Sequence, residues 1–127
     1  WDLFAEWINS VFQKVILVEG NHDIISKQNY ADLNIEVVNE LKIDGFLLTH
    51  HPTEKEGFYN FCGHIHPGIK LKGFGRQYLS LPCFFRKSNQ LIFPAFGTFT
   101  GKFILIPFEK EIVYAITKEE VFEVKLN

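Results

Sequence analysis

Trp1, Phe4, Ile8, Val11 and Phe12 recur at helical spacing through WDLFAEWINSVF, which predicts an amphipathic helix over residues 2 to 13. It begins abruptly, with no capping residue ahead of it. VILVE at 15–19 is a short β-branched run stopped by Gly20, so a buried strand is expected to open into a loop at Asn21-His22-Asp23. A helical turn is expected near Ile24 to Tyr30, followed by strands at IEVV (35–38) and GFLLTH (45–50). The latter ends in His50-His51-Pro52, where proline stops the ladder. FYNFCG (58–63) repeats this pattern, running into Gly63 and then His64-Ile65-His66-Pro67. Beyond residue 68 come IKLKG, RQYLSLPCFFR, QLIFP, KFILIPF, EIVYAIT and VFEVKL, broken by Gly, Pro, Asn and Lys/Glu positions and expected to form an antiparallel meander.

Three strand-like runs thus end in loops that carry ligand-type residues. In sheets with helices packed on them, ligands gather where the loops at neighbouring strand ends converge, so these three ends predict a site. The rest of the pattern shows no repeat, no low-complexity linker and no second domain, and residues 1–127 read as one α/β unit dominated by strands.

Composition narrows the function classes. Thirteen Lys+Arg against fifteen Asp+Glu leave a net charge of −2, so no global field favours nucleic acid or anionic membranes, and any polyanion must be recognised locally. No apolar run approaches the roughly 18 to 20 residues of a membrane span, and no basic segment leads into an apolar one at the start, so a soluble, cytoplasmic protein is expected. Cys62 and Cys83 lie inside apolar runs without metal-ligand spacing and read as small buried residues of a reducing compartment. Fourteen Phe in a chain this short leave apolar bulk that a partner or absent sequence could cover. The sequence begins at Trp1 and contains no methionine, from which an incomplete chain is expected.

All five histidines fall between positions 22 and 66. A lone histidine at a strand end is more often a hydrogen-bonded structural residue than a ligand, but a cluster raises the prior. An extended backbone at His64-Ile65-His66 would send both imidazoles to one side, where they could serve one ion or two. Asn21 adds a carbonyl oxygen and His22 a proton donor or acceptor, although Asn-His-Asp could equally be a plain turn.

In this order Gly20-Asn21-His22-Asp23, His50-His51-Pro52 and Gly63-His64-Ile65-His66 resemble the calcineurin-like metallophosphoesterase family, whose signature includes GNH[DE], H-x-P and GHxH. GHIHPG at 63–68, SLPCFF at 80–85 and PAFGTFTG at 94–101 extend the resemblance to its ligase-associated DNA damage response endonuclease branch. The resemblance implies a layered α/β sandwich and two divalent metal ions, Mn²⁺ in the first instance with Zn²⁺ or Fe²⁺ as alternatives. It assigns Asn21, His50 and His64 to one ion and His66 to the other, and sets His51 aside because the family's histidine lies two positions before the proline. His22 would act near the leaving-group oxygen, oriented by Asp23. The metals would activate water and stabilise charge during phosphoryl displacement. It further implies a phosphoester substrate such as DNA, and association with a DNA ligase or helicase.

The sequence departs from the family pattern in lacking D-x-H and G-D-x-x-[HD]. There is an independent physical objection, since Asn21, His50, His64 and His66 are all neutral ligands. Two divalent cations on them would keep about +4 of charge with no carboxylate to offset it. Asp44 is expected at the wrong end of its strand. The expectation is therefore a partial sandwich, with its N-terminal strands, helices and acidic ligands missing from residues 1–127, and inactive by itself. Lys70, Lys72, Arg76, Arg86 and Lys87 form a local basic set that could contact a phosphodiester backbone, with a solvated surface as the bland alternative. Two other readings stay open. One is a non-catalytic β-rich module that binds a partner, and the other a mononuclear zinc protein using His50, His64 and His66.

Overall fold

The first helix is shorter than its apolar pattern predicts. In the computed structural model, which describes residues 1–73, 75–97 and 100–125, α1 spans Asp2–Asn9. Asp2 in the first turn suits the positive end of the helix, and the Ser10 hydroxyl closes the other end by donating to the Trp7 carbonyl at 2.7 Å. Phe12, expected on the buried face, lies past this stop and is fully exposed. The second helix, α2 (Lys27–Asp32), begins three residues later than expected because Ser26 is its cap, its hydroxyl oxygen accepting from the Asn29 N–H at 3.4 Å.

Strand β1 (Ile16–Val18) pairs in parallel with β2 (Glu36–Val38), and α2 forms the crossover between them. These two strands form a sheet of their own, packed on Ile8, Tyr30 and Ile35. After Asn39 the chain enters a larger sheet through β3 (Glu40–Ile43), which the sequence pattern did not predict. Asp44 (φ 47°) and Gly45 (φ 87°) then turn it back into β4 (Phe46–Thr49). Two successive positive φ values are what a two-residue type I′ hairpin requires, and Asp-Gly supplies them at low strain. Asp44 is therefore at the end of β4 remote from His50, as expected.

The larger sheet continues through β5 (Tyr59–Cys62), β6 (Pro67–Lys72), β7 (Tyr78–Arg86), β8 (Gln90–Ile92), β9 (Phe103–Ile104), β10 (Ile112–Ile116) and β11 (Val121–Glu123). Its main path runs β11-β10-β7-β8-β5-β4-β3. β4, β5 and β8 are mutually parallel, so their carboxyl ends, at His50, Gly63 and Phe93, lie along one edge of the sheet. The C-terminal half is not a simple meander. β7 is nine residues long and pairs antiparallel with β6 along its first half and with β8 and β10 along its second, while β9 joins β6 in parallel. One long strand thereby bridges two layers. Thr98 and Phe99 of the PAFGTFTG run and Leu126 of VFEVKL lie outside the described residues.

Cys83, Val113 and Ala115 are fully buried between these layers, with Phe85, Cys62, Ile69 and Ile92 around them. Both cysteines are free, and burial pushes each thiol up to about 11, which fits packing residues rather than reactive ones. Asn60 is the polar anchor of this region. At 2% exposure, its amide donates to the Leu47 carbonyl (2.8 Å) and Thr49 hydroxyl (2.9 Å) and accepts from the Thr53 N–H (3.0 Å). It thereby holds the chain on both sides of His50 and His51. The architecture is α/β and mostly β, and no helix among the described residues is long and apolar enough to cross a membrane.

Candidate metal centre

Three loops meet where the sequence pattern placed them. The loop after β1 carries Asn21 and His22, the chain after β4 carries His50 and His51, and the turn after β5 carries His64. The His50 Nε2 sits 2.7 Å from the Asn21 amide oxygen and 3.1 Å from the His64 Nδ1. The Gly63 N–H donates to the His50 carbonyl at 3.0 Å, stitching the β4 and β5 ends together. Gly20 is required here. A Cβ at this position would lie 2.8 Å from two atoms of the His50 ring, so only glycine lets the first loop close onto it.

The backbone at the third loop is not extended as expected. His64 (φ 64°) and His66 (φ 52°) both adopt left-handed conformations, on either side of Ile65. Left-handed non-glycine residues are uncommon and cost of order 1–3 kcal/mol, and they concentrate at functional sites. The two residues make different contacts. His64 joins His50, whereas the His66 backbone is anchored to β9, its carbonyl accepting from the Phe103 N–H at 2.9 Å. His66 remains close enough for its charge to bear on His64.

His51, which motif spacing set aside, is in the cluster. Ligating atoms of His50, His51 and His64 all lie within 4.8 Å of one another, and the His51 and His64 rings are 4.0 Å apart between centroids. His51 is exposed and leaves one side of the trio open to solvent. The available signal was the His-His doublet just past a strand end, where the chain leaves the pleat and adjacent residues need no longer face opposite ways. Burial and the neighbouring His51 and His64 lower the pKa of His50, against an opposing pull from Asp23. Desolvation and the neighbouring His51, His66 and His22 lower that of His64. Both shifts favour the neutral imidazole, the state in which a ring nitrogen can ligate.

The acids are differently disposed. The Asp23 carboxylate accepts from the Gly20 N–H at 2.5 Å and faces His50, so it braces the loop rather than gripping its neighbour His22. His22 is exposed, near enough to His50 and His64 for its charge to be felt by both. Glu19 is 3.0 Å from Lys27 in an ion pair. With Glu40 it borders an open cleft of about 480 Å³ that His50, His51 and Thr49 also line. The donor set tests what could be held. Three imidazoles and an amide oxygen suit one borderline ion such as Zn²⁺, whereas a pair of divalent ions would need carboxylates in addition, because none among the described residues joins the cluster.

Most of the basic set lies elsewhere. Lys70 and Lys72 follow His66 by four and six residues along β6, roughly 13 to 20 Å away at strand rise, with Arg76 in the turn beyond. Lys70 stands 4.4 Å over the Tyr78 ring. Arg86 is held by the Tyr114 and Tyr59 hydroxyls, which raise its pKa, and Lys87 is 3.7 Å from Glu111. Lys70, Lys72 and Arg76 therefore lie away from the histidines, whereas Lys87 lines a cavity with Pro52 and Ile65, the chain neighbours of His51 and His64.

No protein-family model matches the chain. No curated protein matches it either. Among solved structures, it is similar to the crystal structure of Pseudomonas putida nuclease MPE, with a TM-score of 0.70 and 34% sequence identity over 87% of this chain. The chain spans about half of that nuclease, covering 54% of it.

Proposed function

We propose that these residues form the histidine-rich part of the active centre of a calcineurin-like metallophosphoesterase, a hydrolase that cleaves phosphodiester bonds in nucleic acid, endonuclease-like and of the kind used in DNA repair. The observation that supports this reading is the convergence of Asn21, His50 and His64 within hydrogen-bonding distance from three loops far apart in sequence. Similarity to a nuclease over most of the chain is in keeping with it. Asn21, His50 and His64 would hold one ion, and His66, two residues beyond His64, would serve a second.

Divalent ions supply Lewis-acid stabilisation of a phosphoryl group and lower the pKa of water. The chain's own residues orient the ligands and hold protons. Gly20 and Asp23 set the first loop against His50, Asn60 fixes the chain around His50 and His51, and exposed His22 would give a proton to a departing oxygen. Carboxylates for a paired-ion centre would come from outside these 127 residues. The test is hydrolysis of bis-p-nitrophenyl phosphate with Mn²⁺. The 127-residue chain is expected to show little or no turnover, and a longer polypeptide carrying D-x-H and G-D-x-x-H motifs is expected to be active. Robust, EDTA-sensitive turnover by the 127-residue chain, abolished by His64→Ala, would overturn the assignment of ligands.

The His50, His51 and His64 trio favours a second reading, a mononuclear zinc site. Zn²⁺ bound at one equivalent and lost in His51→Ala would support it.

A further inference from the structure

A second feature occupies the same edge of the sheet. We propose that the cavity beside β8 is a binding pocket for an unpaired base of a single-stranded nucleic acid. This rests on the phosphoester reading for its partner class and on separate residues for its argument. The cavity has a volume of about 630 Å³, and its walls include Pro82, Phe84, Phe93, Pro94, Phe96 and Lys102. That size is within the range of small-ligand sites, and the lining is apolar and aromatic with one cation, as a base attached to a phosphate would require.

Register ties the pocket to the histidines. The Phe93 N–H donates to the Cys62 carbonyl at 2.7 Å, immediately ahead of Gly63 and His64, so Phe93 is one strand away from the His64 loop. Phe84 on β7 packs edge-on against Phe93, with ring centroids 5.3 Å apart. At about 4.8 Å per strand, the aromatic wall is roughly 5–10 Å across the sheet from the strand that bears His64, a separation one nucleotide can span. A second tie runs through β9, where the Phe103 N–H bonds to the His66 carbonyl and so sets Lys102 beside the His66 loop. Gly68 makes this approach possible, since a Cβ there would lie 3.0 Å from the Lys102 Cβ.

Phe93 and Phe96 supply exposed aromatic surface, Phe96 being wholly solvent-accessible. Aromatic faces of this kind stack bases without regard to sequence. A base in a duplex has both faces covered by its neighbours, so an unpaired one is selected. Lys102 would meet the phosphate attached to it. This cation, unlike Lys70 and Lys72, lies at the histidine end of β6.

The test measures binding by the 127-residue chain in EDTA, using a 5′-fluorescein octathymidylate and fluorescence anisotropy. The single strand is expected to bind at least about 10-fold tighter than an abasic octamer or the same sequence in a duplex. Phe96→Ala should weaken it by about 10-fold, in the range of one lost stack. Lys102→Gln should weaken binding and reduce the salt slope by about 0.7. Phe96 makes no core contact to lose, so its variant decides the matter if Phe93→Ala fails to fold. Equal binding of the abasic octamer, or an unchanged affinity in Phe96→Ala, would overturn the pocket. No metal or turnover enters these readouts. A longer polypeptide that hydrolyses nothing would sink the phosphoester reading while leaving base binding intact, and an active enzyme that is indifferent to Phe96 would do the reverse.

Discussion

The two parts of the chain that meet at His50 are built to very different standards. On one side, β4 to β11 enclose Cys83, Val113 and Ala115 at zero exposure, and a nine-residue strand joins two layers. On the other, α1, β1, α2 and β2 bury Ile8, Tyr30 and Ile35 under a sheet of two parallel strands. Trp1, Leu3, Trp7 and Phe12 are left exposed. Parallel sheets are normally covered on both faces, and two strands are marginal alone. Yet the weaker part contributes Asn21 and His22, and its link to the stronger part at the site is the His50 ring lying against Gly20 and Asn21. The lesson is that ligand geometry depends on a joint between a rigid scaffold and a segment with little core of its own. Breaking the scaffold, the joint or the turns should give separable results.

The largest effect is expected from the scaffold. Asn60→Leu removes the partner of the Thr53 N–H and the Leu47 carbonyl at a position 2% exposed. Buried groups left unsatisfied cost 1–3 kcal/mol each, so a loss of about 3 kcal/mol is expected in urea unfolding followed by near-ultraviolet circular dichroism. A change below about 0.5 kcal/mol would mean that water replaces these bonds and that the region is looser than its burial implies. Next comes the joint itself. His50→Ala should reduce Zn²⁺ or Mn²⁺ affinity at least about 100-fold, or about 2.7 kcal/mol, measured by equilibrium dialysis, because it removes a ligand and the contact with Asn21 together. Gly20→Ala is milder. The new Cβ meets the His50 ring at 2.8 Å, and displacing the loop should lower metal affinity about 10-fold while unfolding of the β4–β11 region is unchanged. If both variants lost the fold entirely, the two regions would be one cooperative unit and the contrast between them would be void.

How much of this the sequence disclosed follows from where its signals are local. Strands such as VILVE and FYNFC were legible because apolar runs stopped at Gly20 and Gly63, and the histidine convergence followed from those stops. β3 was not, because ELKI lies on an edge with mostly exposed side chains and so lacks a buried face to alternate against. Pairing was the least accessible. The parallel run β4-β5-β8 depends on crossovers that no short window records, and the three partners of β7 depend on its length. His51 was missed because the motif ranks the doublet while the structure turns the chain after Thr49. The distance of Lys70 and Lys72 from the histidines was readable in principle, since four to six residues of strand separate them from His66, but only once β6 was known to be straight paired strand.

The smallest expected effect belongs to a turn, and it tests whether β3 matters to the site at all. Asp44-Gly45 reverses the chain with φ of 47° and 87°, and the Gly45 carbonyl also accepts from the Tyr59 N–H at 2.9 Å, tying the hairpin to β5. A Cβ on Gly45 meets no atom within 4 Å, so Gly45→Ala probes backbone strain without a clash. The left-handed conformation disfavours alanine by about 1 kcal/mol, and that is the loss of stability expected in thermal unfolding. Because the turn is at the end of β4 remote from His50, metal affinity should stay within about 2-fold of the parent, under 0.5 kcal/mol. A loss of affinity as large as that of Gly20→Ala would show that the hairpin transmits its register along β4 to His50. The scaffold would then be softer than the joint, and the contrast between the two regions would be reversed.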